Sequence, residues 1–407
     1  MKNFFLTKFQ SVILVSLILT SFSIAQNWQL QNSNTISQLK GIQMISTNEG
    51  WGCGDAGAMI HTTNAGTNWS LLTLTGSDLH QLVFKDASNG IVVGDNGTIF
   101  TTTNAGTNWI SKNSGTSAQL RGVGFAGSST YFAVGDDGAA IKSTDDGNTW
   151  TNLTTGTIER FLCITAFNQN VWIGARNGLI LFSNNGGTSF NSMSNPATDD
   201  IKDIQFIDGS VGFACGSNSF FMYTSNGGIN WTSRSSGIQV GLNGLHFVNQ
   251  NQGWTVGGTG TLYSTTNAGS NWIALQSQTG QDLNSIHSFD NVNAWAVGNS
   301  GVISSNYSPA TGVENEIKGL NDYTLFQNYP NPFNPSTKIS FNLPSREFVT
   351  LKIYNALGRE VARLLNEDLD AGFHEINFNA SGLTSGVYFY EISTGNFAET
   401  KKMLLLK

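Results

Sequence analysis

An all-β fold, a seven-bladed β-propeller followed by a small Ig-like β-sandwich, is predicted from three features of this 407-residue sequence. The octapeptide TTNAGTNW at 62–69 returns unchanged at 102–109. Its terminal aromatic recurs at Trp28, Trp69, Trp109, Trp150, Phe190, Trp231 and Trp272, with gaps of 41, 40, 41, 40, 41 and 41 residues. A second landmark, the glycine closing short apolar runs such as GWGCG, falls at Gly54, Gly94, Gly135, Gly174, Gly216, Gly257 and Gly298. Both landmarks count seven. A period near 41 holding several short strands is the length of a propeller blade.

Composition agrees with many short strands joined by tight turns. Charged residues make up 12% and glycine supplies 46 positions, which disfavours long helices. Hydrophobic residues make up 39%, with ten Trp and 26 Phe, enough to fill a core.

Taken in chain order, residues 1–25 read as a signal peptide. Lys2 and Lys8 precede the apolar stretch SVILVSLILTSF, and Ser23-Ile24-Ala25 forms a small-residue cleavage site before Gln26. No later apolar run is long enough to cross a bilayer, so the mature chain is expected to be exported without a transmembrane segment.

Residues 26–305 carry the blades. Each begins with a strand such as LKGIQM or LHQLVF, followed by a second such as IVVG, a Gly-containing turn (DNG, DDG, GTG) and a third such as TIFTTT. The box NAGTNW then turns into a last strand. The seventh copy, AWAVGNSGVISSNYSP, ends without a box, while the box ending at Trp28 lacks a preceding blade. The N-terminal strand is therefore expected to complete the seventh blade, which removes the open sheet edges.

Cys53, Cys163 and Cys215 each replace an aliphatic residue in a strand-like run, which predicts buried free thiols rather than disulfides or a metal site. No cofactor is expected.

The segment STDDGNTW carries Ser143, Asp145, Gly147, Thr149 and Trp150. It resembles the Asp-box (BNR) pattern S-x-D-x-G-x-T-W. The copies ending at Trp69, Trp109, Trp231 and Trp272 mostly place Asn where Asp is usual. A turn needs only a short side-chain oxygen that accepts backbone N–H, so a structural role is predicted for all of them. The blade pattern as a whole resembles the plant and cyanobacterial photosystem II assembly and stability factors. That resemblance covers residues 27–305 and implies a seven-bladed propeller that binds membrane-protein assembly partners.

After a linker at 306–321, residues 322–407 form a second unit. FQNYPNPFNPSTKISFNLP holds four of six prolines and reads as a rigid segment leading into the domain. The strands VTLKIYNALG, EVARLLN, GFHEINFNA, GVYFYEIS and KKMLLLK follow. The residues Asn328-Tyr329-Pro330-Asn331-Pro332-Phe333-Asn334-Pro335, Ile353-Tyr354-Asn355, Leu357-Gly358, Leu383, Ser385-Gly386-Val387-Tyr388 and Lys401-Lys402-Met403 are similar to the C-terminal type A sorting domain of type IX secretion in Bacteroidota. The resemblance implies recognition by the type IX secretion machinery through residues 322–407. It also implies passage through the periplasm and the outer membrane, then release or attachment at the cell surface. A chain so addressed does not meet photosystem partners.

The residues argue against catalysis. Sialidase-like chemistry requires three arginines on a carboxylate with a Tyr–Glu pair, and the propeller holds only Arg121, Arg160, Arg176 and Arg234, with Glu49 and Glu159. Xyloglucanase-like enzymes need two facing carboxylates across a cleft. Asp55, Asp95 and Asp136 share one hairpin-turn phase, where turn formation is the ordinary role. A glycoside hydrolase is the runner-up reading, and a chaperone-like assembly factor the third.

One phase is distinctive. The residue four before the landmark Phe of the first strand, or its equivalent, is Lys40, His80, Arg121, Arg160, Lys202, Asn243 and Asn284 in blades one to seven. Blade four fits if Ile164 stands for the Phe. Four of the propeller's nine Lys and Arg fall here, predicting a basic arc at the channel mouth that binds an extracellular protein or glycan. His246 and His287 share another phase on adjacent blades, and two histidines alone make a poor metal site. A formal charge of −7 leaves no footprint for nucleic acid.

Overall fold

Seven four-stranded antiparallel sheets follow one another around a ring in the computed structural model, which describes residues 28–307 and 323–406 except 235–236, 291, 329–330, 371 and 396. The expected signal peptide and most of the linker lie outside the described residues. The chain divides into two compact units, Met1–Pro309 and Ala310–Lys407. Among the described residues no helix is long and apolar enough to cross a membrane.

The innermost strands of the blades are Leu39–Met44, Leu79–Phe84, Leu120–Phe125, Phe161–Phe167, Ile201–Phe206, Leu242–Phe247 and Leu283–Ser288. Each runs antiparallel to a second strand that is buried almost throughout, such as Gly90–Gly94 or Tyr131–Gly135. A third and an exposed fourth strand complete each sheet. Neighbouring innermost strands pack on one another around the ring, blade seven against blade one included.

Closure comes from the N-terminus. Gln29–Gln31 pairs antiparallel with Ile303–Ser305, so the seventh sheet takes its outermost strand from the start of the chain. Trp28, 1% exposed, packs in the seam with Trp254, Leu262 and Ile286.

Second and third strands are joined by a two-residue turn with both central residues at positive φ, for example Asn96 at 56° and Gly97 at 66°. This is the mirror-image turn that suits strand twist and favours Gly at the second centre, which blade five replaces with Ser219 at φ 63°. The residue opening each turn donates its N–H to the carbonyl just before the innermost strand, as Asp55 does to Gln38, Asp95 to Asp78 and Asp136 to Gln119, all at 2.9 Å. The turn is thereby held beside the start of the innermost strand in every blade.

The boxes work as local clamps. In Ser143–Trp150, the Ser143 hydroxyl accepts the Gly147 N–H at 2.9 Å, and Asp145 Oδ1 accepts the Thr149 N–H at 2.9 Å. In Thr62–Trp69, Thr62 Oγ1 accepts from Gly66 at 2.8 Å and Asn64 Oδ1 from Asn68 at 2.9 Å. Asn reproduces the bond that Asp makes. The Thr149 N–H, with the Thr149 and Ser143 hydroxyls, lowers the Asp145 carboxyl to about 2. Each box also reaches the preceding blade: a Cβ on Gly106 would stand 2.1 Å from the Trp51 ring, and one on Gly269 2.2 Å from Phe221. The box tryptophan packs there too, Trp69 joining Trp295, Val297 and Ile303 of blade seven. All three cysteines are free and buried.

Blade four departs from the sequence reading. Its innermost strand opens with Phe161 opposite Ala175, the pairing that Leu39 makes with Gly54, so the landmark position is Ala175 and not Gly174. A Cβ at Gly54 would lie 2.0 Å from the Gln38 carbonyl oxygen. Blade four admits one because Ala175 takes φ −135°, against −171° at Gly54.

The second unit is a sandwich of a three-stranded sheet, Thr324–Leu325, Ser336–Leu343 and Gly372–Asn379, and a four-stranded sheet ordered Glu360–Leu369, Glu347–Asn355, Gly386–Ser393, Ala398–Leu405. The sequence reading treated the proline-rich stretch as a segment leading into the domain. Instead Ser336–Leu343 pairs along its full length with Gly372–Asn379. Pro335 and Pro344 bracket that strand without entering it, as the missing N–H of proline requires. Before it, Asn331 Oδ1 accepts the Leu404 N–H at 2.8 Å and Phe333 pairs with Leu405, which caps the outer edge of the last strand.

Candidate functional site at the channel mouth

A register shift follows the first residue of every innermost strand. The bulged second residue is Lys40, His80, Arg121, Leu162, Lys202, Asn243 and Asn284 in turn. Arg160 therefore does not belong to the arc by phase; Leu162 holds that position. Arg160 precedes the strand, at the phase of Asp78, Asp200 and Asp282. Its guanidinium nevertheless joins the cluster, with Nε 2.9 Å from Asp136 Oδ1.

The arc is not an open row of positive charge. Lys40 Nζ lies 2.5 Å from Asp55 and 3.1 Å from Asp78. His80 Nε2 lies 2.6 Å from Asp95. Arg121 binds Asp136 through Nε at 2.5 Å and Nη2 at 3.1 Å, while Nη2 also meets Gln119 at 2.6 Å. Asn284 donates to Asn299 Oδ1 at 3.1 Å and to the Leu39 carbonyl of the next blade at 2.8 Å. Asn243 donates to the Leu283 carbonyl at 2.9 Å. The aspartates of the turns, read from sequence as turn formers, are the counter-ions of this arc.

Asp78, Asp200 and Asp282 tie neighbouring blades together. Each accepts a turn N–H of the preceding blade, from Ala56 at 2.9 Å, Asn177 at 3.3 Å and Thr259 at 2.8 Å. The Ala56 N–H in particular lowers the Asp78 carboxyl. Burial pushes the Asp136 carboxyl up, but the Arg121 hydrogen bond and the charges of Arg121 and Arg160 outweigh it and hold the acid below its usual range. Burial lowers His80 despite the Asp95 bond, so the ring is neutral at pH 7.

Two places keep uncompensated cation. Arg121 and Arg160 share one carboxylate, Asp136. Lys202 contacts no carboxylate among the described residues; its Nζ donates to Asn243 Oδ1 at 2.8 Å. Both places lie on blades three to five. Ile158, 86% exposed, sits in the loop just before Arg160.

Deeper in the ring, polar side chains of the innermost strands cap the backbone of the next blade. Gln43 accepts the Phe84 N–H at 2.8 Å and donates to its carbonyl at 3.2 Å; Gln205 does the same to Phe247, at 2.7 and 3.0 Å. His287 Nδ1 accepts the Met44 N–H at 3.3 Å, across the seam from blade seven to blade one. His246 and His287, whose phase was noted in the sequence, lie against one another with ring centroids 4.2 Å apart and planes tilted by 40°. Burial lowers His246 to about 4 and pushes His287 well below its ordinary value.

A pH effect follows from these two rings. The folded state resists their protonation, so their contribution to stability is full above about pH 6.5 and is lost as pH falls toward about 4. His246 alone accounts for roughly 3 kcal/mol over that window. Glutamine at both positions reproduces the bonds of Gln43 and Gln205 without a titrating group. Denaturant unfolding at pH 7 and pH 4.5 is expected to show a loss in the wild type that the His246→Gln/His287→Gln variant largely avoids. Equal losses in both proteins would show that the pair is not responsible.

Fold and mouth define a class: a closed seven-bladed propeller with a charged ring around one end of its channel, followed by a secretion-sorting sandwich. Residues 327–406 match the secretion system C-terminal sorting domain, which marks the chain for type IX secretion. Residues 14–117, 75–160 and 188–303, more than half of the chain, match the photosynthesis system II assembly factor YCF48, and the chain belongs to that family. Among curated proteins no sequence matches. A structure of YCF48 bound to a D1 peptide is similar at TM-score 0.60 and 17% identity, covering 69% of this chain and 97% of that one. YCF48 from Cyanidioschyzon merolae is similar at TM-score 0.58 and 19% identity, covering 68% and 98%. The WD40 propeller domain of Doa1 is similar at 0.57 and 9%, covering 68% and 96%. At these identities the likeness is one of fold.

Proposed function

We propose that the chain is a non-catalytic binding propeller acting outside the cell or at its surface, and that an extracellular protein segment or glycan docks at the channel mouth over blades three to five. The observation that carries this reading is the uneven charge of the ring: Arg121 and Arg160 share Asp136 while Lys202 has no carboxylate. Elsewhere each cation of the ring is matched, so an anionic or strongly hydrogen-bond-accepting ligand gains most on this side. The D1 peptide bound to a related YCF48 propeller supports a peptide segment as one form of that ligand. The binding role places the ring, rather than the boxes, as the recognition surface.

Peptide and glycan arrays probed with the labelled mature chain test it. The Arg121→Ala/Arg160→Ala/Lys202→Ala variant is expected to lose at least about tenfold in binding, and wild-type binding is expected to weaken with salt. Lys112→Ala serves as control, since Lys112, at the end of the outer strand Ile110–Lys112, hydrogen-bonds Asn148 of a box, away from the mouth. Array signals unchanged in the triple variant would remove the mouth as the binding surface.

A further inference from the structure

Below the mouth, a cavity of about 320 Å³ runs inside the ring, lined by innermost-strand residues of all seven blades. That size is at the lower end for small-molecule sites. Amide, hydroxyl and imidazole groups supply much of its wall, including Gln81, Thr165, Gln205 and His246. Two of its lining residues are charged, Lys85 and Asp203. The Lys85 ammonium is bound to Asp146. Asp203 has no ion-pair partner among the described residues.

The Asp203 carboxylate is held rigidly. Oδ1 accepts the N–H of Ile204 and Oδ2 that of Leu245 in the next blade, both at 2.9 Å. Each carboxylate oxygen can accept a second bond, so acceptor capacity remains on both. Burial pushes its acid up to about 6, against the pull of those two N–H groups. The titratable and charged groups around it are Lys202 beside it, Cys215 opposite in its own sheet, Cys163 on blade four and His246 on blade six. Lys202 is engaged with Asn243, burial raises both thiols and lowers the imidazole, and all three are neutral at pH 7. An anion in a half-buried polar cavity, with two oriented donors and no cation paired with it among the described residues, is a site short of one positive partner.

We propose that this central cavity binds a small primary ammonium compound, with Asp203 as its counter-ion. The ammonium donates to the free acceptor positions of the carboxylate, and the polar wall supplies acceptors for its remaining N–H groups. The site is separate from the mouth, and its ligand carries the opposite charge.

Calorimetric titration of the full mature chain with n-butylammonium chloride tests the assignment, with n-butanol and sodium butyrate as controls. Saturable one-to-one binding of butylammonium alone is expected at pH 7.5. At pH 5 it is expected to be about tenfold weaker, because protonated Asp203 no longer offers a charge. Asp203→Asn is expected to abolish binding. That variant also turns an amide N–H toward a backbone donor, so a second variant leaves Asp203 intact. A Cβ on Gly124 would meet nothing nearer than Ile164 at 3.7 Å, so Gly124→Leu fills the cavity from blade three. Loss of binding in both variants supports the site. Full binding in Gly124→Leu, equal binding of butanol, or no saturable binding by the wild type overturns it.

Discussion

Replacing Trp28 with alanine is expected to lower the stability of the propeller by about 3–5 kcal/mol. Trp28 is 1% exposed and packs against Trp254, Leu262 and Ile286 in the seam between blades six and seven. It also immediately precedes Gln29–Gln31, the strand that closes the ring on Ile303–Ser305. A three-residue strand with two exposed side chains has little hold of its own, so the indole is its anchor. Losing it leaves a cavity and loosens the closing strand, which uncovers the edge of Ile303–Ser305. For a unit of this size the melting temperature should fall by roughly 10 °C. Leu30→Ala, on the same strand but 53% exposed, should change stability by less than about 0.5 kcal/mol. Calorimetric melting of the two variants decides it, and equal shifts would show that Trp28 does not anchor the closure.

The second large effect is expected at a box glycine. Gly106 has φ 78°, and a Cβ there would stand 2.1 Å from Cζ2 of buried Trp51 in the preceding blade. Gly106→Ala therefore combines left-handed strain with overpacking and should cost about 3 kcal/mol. Gly115 separates the two contributions. Its φ is 74°, but nothing lies within 4 Å of the added carbon, so Gly115→Ala should cost only about 1 kcal/mol. Equilibrium denaturation of both variants measures the difference, which is the part due to packing between blades. A difference near zero would mean that Trp51 moves aside and the box does not bear on the neighbouring blade.

Much of the charged ring could have been read from one comparison within the chain. Blades one to three pair a basic residue at position two of the innermost strand, Lys40, His80 or Arg121, with an aspartate opening the turn, Asp55, Asp95 or Asp136. In blades six and seven the same two places hold Asn243 with Gly258 and Asn284 with Asn299. The aspartate accompanies the basic residue in blades one to three and is absent with it from six and seven, while blade five keeps Lys202 but opens its turn with Ser217 and leaves that lysine without a carboxylate. Treating the aspartates only as turn formers hid this. Arg160 was misplaced for a different reason: with Phe161 at the place of Leu39 the landmark position of blade four falls on Ala166, and letting Ile164 stand for the Phe slipped the register by two residues. In a strand a two-residue slip keeps the same face, so the alternation of side chains does not reveal it. The prolines of the sorting domain hid the strand Ser336–Leu343 because they flank it closely on both sides.

By itself the sequence determined the number of blades, the closure of the seventh by the N-terminus, and the equivalence of Asn and Asp in the boxes. The boxes rest on hydrogen bonds within one repeat and the count on its recurrence, while the closure shows as two complementary parts of one repeat, a box without a blade at Trp28 and a blade without a box after Gly298. Tertiary structure alone decided which cations of the mouth keep uncompensated charge and that Asp203 faces a cavity without a counter-ion. These groups meet across seams between blades, as Arg160 meets Asp136 and Leu245 meets Asp203. Their separation is set by ring geometry and by a bulge at the second residue of each innermost strand, and neither is written in any local pattern of residues.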